Sequence, residues 1–226
     1  GGKLPEIKPE LANRVFMGWA QTADALMPDF DIGTRVEKDM KVYAVWRKTE
    51  IDLNASGNVK IKMDAEQNVN IVADDTSADM KIDRAKWKEA LKILGGKVDG
   101  FDGNRLSWRW ANIKDINFQT KGIALPQDSS SLLKEVQTNI NGCEKLDTSN
   151  VTDMSDMFYD VKQADPNTST WDTSNVTNMF GMFRAATKAN PDVSNWITSK
   201  VTDTRFMFGQ ATSATPNVSN WDVSNV

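Results

Sequence analysis

The side chains of this chain that could do chemistry are its carboxylates, and their spacing points to structure before catalysis. Asp147, Asp172 and Asp222 recur in register 25 residues apart or at multiples of it, but Ile197 interrupts the series. A calcium ion held between successive repeats needs an unbroken run of oxygen ligands, so this column is expected to bond turn backbone instead. The acidic group Asp74, Asp75 and Asp79 has neither the spacing of a calcium-binding helix–loop–helix nor the glycine its sharp turn requires. The chain has no histidine and a single cysteine, Cys143. A Ser-His-Asp triad and Cys-His chemistry are therefore impossible, as is an internal disulfide. A pair of carboxylates acting on a glycosidic bond stays open, since it needs only two acids about 5–10 Å apart. Arg109, between Trp108 and Trp110, could stack on a ligand ring or simply cover the two indoles from water. No catalytic residue, metal ligand or cofactor site is assigned, and the chain is expected not to be an enzyme.

Those residues must be positioned by something, and from residue 146 onward that element is a repeat. Leu146, Trp171, Trp196 and Trp221 align at a period of 25 residues without insertion. So do Val151, Val176 and Val201, then Met157, Met182 and Met207, then Phe158, Phe183 and Phe208. A period of this size is the mark of coils that each bury an apolar face on the next. The β-branched alternation around Val151 predicts one strand per coil, paired in a parallel sheet. Met154, Met157 and Phe158 at i, i+3, i+4 predict a helical turn, which Pro166, Pro191 and Pro216 then stop.

The chain before the repeats divides into three stretches. Residues 1–48 carry two β-rich runs, one around Phe16 to Trp19 and one from Val42 to Trp46. Residues 49–114 read as an α+β connector. Its segments 58–67 and 68–75 alternate like an antiparallel strand pair, and a helix over 83–95 is capped by Asp83 and ended by Gly95-Gly96. Residues 115–145 read as a divergent capping coil, with strands at 107–110 and 115–118 leading into it and a short helix carrying Leu132 and Leu133. Residues 146–226 are the repeats themselves. The chain opens on Gly1-Gly2-Lys3 and stops six residues into a coil, so it is expected to be a piece of a longer protein. No apolar run approaches the length of a membrane span.

Two resemblances follow from these residues. Gly1-Gly2, Phe16-x-Gly18-Trp19, Phe30-Asp31 and Tyr43-Ala44-Val45-Trp46 resemble the Listeria–Bacteroides repeat, a small β-grasp-like module of bacterial surface proteins, here without its first strand. The repeated W-D-T-S-N-V-T-x-M-x-x-M-F resembles the surface-protein repeat of BspA-like and Mycoplasma lipoprotein families, which is related to leucine-rich repeats. Together they imply an α+β chain: a β-grasp-like module, a mixed connector, then a right-handed leucine-rich-repeat-like solenoid with a parallel sheet. The resemblance also implies a place on the bacterial cell surface, or secretion, and commonly adhesion.

Charge agrees with such a role. The net charge is −4, and a mildly acidic chain does not suit nucleic acid or direct membrane insertion. The expected function is a non-enzymatic adhesin or binding scaffold that recognises a host extracellular protein or glycan. In leucine-rich-repeat geometry its contact surface consists of Asn150, Thr152 and Asp153, with their equivalents Asn175, Thr177, Asn178, Lys200, Thr202 and Asp203. The alternative is a structural stalk that holds another domain away from the cell wall. The third repeat departs from the pattern at Ile197, Lys200 and Thr204, and this is expected to loosen it or to give it a contact of its own.

Overall fold

The computed structural model describes residues 2–3, 11, 14–23, 30, 35–36, 40–64, 66–94, 97–99, 105–107 and 113–226. Trp108, Arg109 and Trp110 lie outside these residues, as do Gly1, Asp31 and the Gly95-Gly96 helix stop. The described residues form four sheets and one α-helix.

Strand β1 (Gly2–Lys3) pairs antiparallel with β3 (Arg35–Val36). Strand β2 (Arg14–Ala20) pairs antiparallel with β4 (Tyr43–Lys48), with an irregularity between Phe16 and Gly18. The large sheet follows. It contains β5 (Glu50–Asp52), β6 (Val59–Met63), β7 (Val69–Ala73), β10 (Asp115–Phe118) and β11 (Asn139–Asn141), in the order β11-β10-β7-β6-β5. Strands β6 and β7 are antiparallel neighbours, as their alternation predicts, β5 adds antiparallel to β6, and β10 runs parallel to both β7 and β11. Val59, Ile61, Val69, Ile71, Ile116 and Phe118 point to one buried face, the period-two rule at work. Helix α1 (Arg84–Ile93) covers that face with Trp87, Ala90 and Leu91. Asp83 caps it, its Oδ1 accepting from the amides of Ala85 at 2.7 Å and Lys86 at 3.0 Å. A small pair, β8 (Lys97–Asp99) and β9 (Arg105–Ser107), follows the helix.

The repeat region is built differently from the expectation. The leucine-rich-repeat-like solenoid with a parallel sheet does not form. Residues 146–226 contain no strand and no helix, only turns and single-residue bridges such as Asp153↔Asn178 and Asn178↔Asp203. Among the described residues, the five-stranded sheet stands ahead of the repeats. The predicted helical turn at Met154–Phe158 and the short helix around Leu132 and Leu133 are likewise turns.

The reason lies in the backbone. Ser131, Asp156, Gly181 and Phe206 all have φ between 52° and 59°, and Glu135, Asp160, Ala185 and Gln210 all lie between 57° and 63°. Each repeat thus carries two left-handed residues four apart. Between them the amides alternate. Those of Met154, Asp156, Phe158 and Asp160 donate to the carbonyls of Asn178, Phe180, Met182 and Arg184 in the next repeat, at 2.8–2.9 Å. Those of Met157, Tyr159 and Val161 close local turns onto residues three back. A helix would keep every amide within the segment, and a strand would point alternate amides to opposite sides. The left-handed residues allow a third arrangement, half local and half along the stack. Apolar residues at i, i+3, i+4 serve this tight turn as well as they would a helix, so their spacing alone could not tell the two apart.

Like side chains do lie on like. Trp171, Trp196 and Trp221 are stacked at 6.4 Å with rings 3° from parallel. Phe158 lies 5.2 Å from Phe183, and Phe183 lies 5.7 Å from Phe208. Val151, Val176 and Val201 are fully buried. One apolar cluster runs without a break from Ile51 in the sheet to Met207 in the repeats. Trp87 of α1 joins the two parts by donating from Nε1 to the carbonyl of Leu132 at 3.0 Å.

Candidate functional site

The stack turns each repeat position into a column of side chains, one row per repeat. The nine predicted contact residues fall into three columns. Asn150, Asn175 and Lys200 form the first and are exposed. In the second, Thr177 and Thr202 are exposed while Thr152 is half-buried. Asp153, Asn178 and Asp203 form the third and are half-buried. The stacking of rows places the members of each column side by side, and much of their bonding capacity is already in use. Asn175 Nδ2 donates to the carbonyl of Ser149 at 2.8 Å, and Lys200 Nζ donates to Asn175 Oδ1 at 2.6 Å. Thr177 and Thr202 each donate from Oγ1 to the carbonyl one repeat earlier at 3.1 Å. Asn178 Nδ2 donates to Asp153 Oδ2 at 3.1 Å, and its own Oδ1 accepts from the amide of Phe180 at 3.0 Å. These columns tie row to row.

The Asp147 column behaves as the sequence implies. Asp147, Asp172 and Asp222 each accept the amide two residues on at 2.9–3.0 Å, shaping the turn. Ser174 hydrogen bonds hold the Asp172 carboxyl below the usual carboxylate range, with burial opposing them. Ser224 does the same for Asp222. Beneath them runs a buried column. Thr148, Thr173 and Thr198 donate to the carbonyls of Asp172, Ile197 and Asp222 at 3.0 Å. Ile197, which breaks the acidic series, keeps its backbone in this scheme, its amide donating to Thr173 Oγ1 at 2.9 Å. The third repeat is therefore held in register rather than loosened. Among the described residues, no group of three or more acidic or thiol side chains could hold a metal ion. The Cys143 thiol is driven far above its ordinary pKa by burial, with Glu144 adding to the effect.

A second surface was not read from the sequence. Tyr159, Phe180, Arg184, Arg205 and Phe206 meet across three repeats. The Arg184 guanidinium lies 5.6 Å from the Tyr159 ring and 5.2 Å from the Phe206 ring. Phe180 stands edge-on to Phe206 at 5.8 Å, and Arg205 lies 5.6 Å from the Phe180 ring. Arg205 is clasped by Asp203 through Nε at 3.0 Å and a terminal nitrogen at 2.7 Å. Hydrogen bonds from the Arg205 side chain, then from its amide and its charge, hold the Asp203 carboxyl low against the pull of burial. The signal available in the sequence was the column Ser131, Asp156, Gly181, Phe206, in which three small residues are followed by a large ring.

A family model described as "Mycoplasma protein of unknown function, DUF285" matches residues 127–226. No curated protein and no solved structure matches the chain. The matched span begins close to Ser129, whose amide donates to the carbonyl of Asp153, within row-to-row bonding that already starts at Gly122 and Leu125.

Proposed function

We propose that this chain is a non-enzymatic binding scaffold of the bacterial cell surface, or a secreted one, whose stacked repeats recognise a host extracellular protein or glycan. One observation carries the reading. The repeats hold their register mainly through backbone bonds and an apolar interior, so side chains on the outer columns can be exchanged at the cost only of their own row-to-row bonds. The similarity of residues 127–226 to the Mycoplasma family model supports a bacterial setting, and the surface location follows from the repeat resemblance. The pair β2–β4, with Phe16, Gly18 and Trp19 on one strand and Tyr43 to Trp46 on the other, is proposed as part of a Listeria–Bacteroides-type unit.

The test is binding of the chain to immobilised host extracellular proteins and to a glycan panel. Thr177→Ala with Asn178→Ser should abolish capture while circular dichroism stays that of the parent and melting falls only by the bonds these two side chains make. Unchanged capture by the double variant would remove the polar columns from the reading.

A second reading, a stalk presenting another domain, is favoured by a specific observation: the polar columns already bond one another from row to row. A spacer needs such ties and no free face. Absence of binding to every host surface, together with high resistance to unfolding under force, is the outcome that selects the stalk.

A further inference from the structure

We propose that the five-stranded sheet binds a small neutral sugar in the cleft on its face away from helix α1, with hydroxyl groups held by Lys60, Lys62 and Gln119 over a floor of Val72 and Ala73. It goes beyond the scaffold reading and shares no residue with the polar columns.

The cleft has a volume of about 570 Å³, within the range of small-molecule sites. Lys60 and Lys62 alternate on β6 with Val59, Ile61 and Met63, which are buried, so both lysines stand on the face away from α1. In the sheet register Lys60 lies opposite Val72 and Lys62 opposite Asn70. Gln119 directly follows Phe118 of β10, which is paired with Ile71 of β7. Strands β6 and β7 each have a bonded neighbour on both sides, so the cleft rests on the interior of the sheet, where the backbone is rigid.

Its polar groups have bonding capacity left. Lys60 Nζ lies 3.7 Å from Glu50 and 3.8 Å from Asp52, and Lys62 Nζ lies 3.7 Å from Glu50. These are ion pairs, but they are too long for hydrogen bonds. Gln119 donates from Nε2 to Asn70 Oδ1 at 2.9 Å, which fixes its amide and keeps Oε1 for an incoming donor. Asn70 is itself held, donating to Asp64 and accepting from Asn117. Asn58 spends Nδ2 on Ser77 and keeps Oδ1. Asp74 accepts twice from Thr76 at Oδ1 and keeps Oδ2.

The charges around the cleft select the class of ligand. Lys60 and Lys62 stand with Glu50, Asp52 and Asp74, two positive charges against three negative, a sum of −1. An anion would meet the carboxylates and a cation the two ammonium groups. A lining this polar does not suit an apolar ligand. Hydroxyl groups both donate and accept, so they match ammonium donors set beside amide and carboxylate acceptors. Val72 and Ala73 give the C–H face of a sugar ring an apolar floor. The lining holds no aromatic ring to stack on, so affinity in the millimolar range is expected.

The experiment titrates the isotope-labelled full chain, followed by NMR, with glucose, galactose, N-acetylglucosamine, lactose and maltose. Glucuronate, inorganic phosphate and glycylglycine are the charged and peptide controls. At least one neutral sugar should shift the amide signals of Lys60, Lys62, Val72 and Gln119, with an affinity that does not change with salt. Lys62→Met should weaken it by about tenfold, and Lys62→Gln, which restores a neutral donor, should recover part of the loss. Both variants should match the parent in circular dichroism, because Lys62 is exposed. Thr177→Ala with Asn178→Ser should leave this binding in place, which separates it from the polar columns. No shift with any neutral sugar, equal binding by Lys62→Met, shifts confined to residues outside the cleft, or binding of the controls alone would overturn the proposal.

Discussion

At the scale of single residues, backbone handedness and buried hydroxyls decide what each position tolerates. Gly142 has φ 81°, and a Cβ there would collide with the Phe118 carbonyl oxygen, which is backbone and cannot give way. Gly142→Ala should lose more than about 2 kcal/mol, read as a lower urea midpoint. Gly181 is different. Its Cβ would meet the Asp156 carboxylate, a side-chain end that can move, so Gly181→Ala should lose only about 1 kcal/mol. Thr173 is buried and bonds both the carbonyl and the amide of Ile197. Thr173→Val keeps the shape but leaves both groups unpaired, a loss of about 1–3 kcal/mol with an unchanged denaturant slope.

At the scale of elements, the tryptophan column is the most sensitive part of the repeats. Trp196 is 3% exposed and lies between Trp171 and Trp221, with Nε1 donating to the carbonyl of Thr168 at 3.3 Å. Trp196→Ala should cost about 3–5 kcal/mol by calorimetry or denaturant melting. Helix α1 and the strand pair β6–β7 were legible in the sequence because period and cap agreed: Asp83 precedes a 3.6-residue pattern, and Val59 to Met63 alternates cleanly. The turn-built rows were not legible. Met154, Met157 and Phe158 have helical spacing, yet Asp156 and Asp160 are left-handed. Propensity gave only a weak warning of this, because Asp is enriched in that region yet visits it only occasionally.

At the scale of the whole molecule, one apolar cluster joins sheet, helix and stack. Rows deep in the stack should therefore open together with the sheet. Val218, Val223 and Val226 are 45–60% exposed, so hydrogen exchange should run faster over residues 204–226 than over 154–186. Acid should act on the turns. Asp172, Asp192, Asp203 and Asp222 have lowered pKa values in the folded chain. Their unfolded forms therefore bind protons first as pH falls. The stability they contribute is present above about pH 4, the unfolded value, and is lost as pH drops through their folded values. Melting temperature should be flat from neutral pH to near that point and then decline.

The sequence by itself determined the period, the alignment of columns and the identity of what stacks on what, since identical spacing brings identical side chains together in any stacked arrangement. It also determined the capped helix and the antiparallel pair, where local period and end signals suffice. Only the tertiary structure decided how each row is made. Whether an amide closes a local turn or reaches the next row depends on backbone handedness at two residues, for which Asp156 and Asp160 carry only a weak local signal and Ala185, Phe206 and Gln210 carry none. The surface around Phe206 belongs to the same class, because Tyr159, Arg184 and Phe206 become neighbours only when three rows are laid on one another.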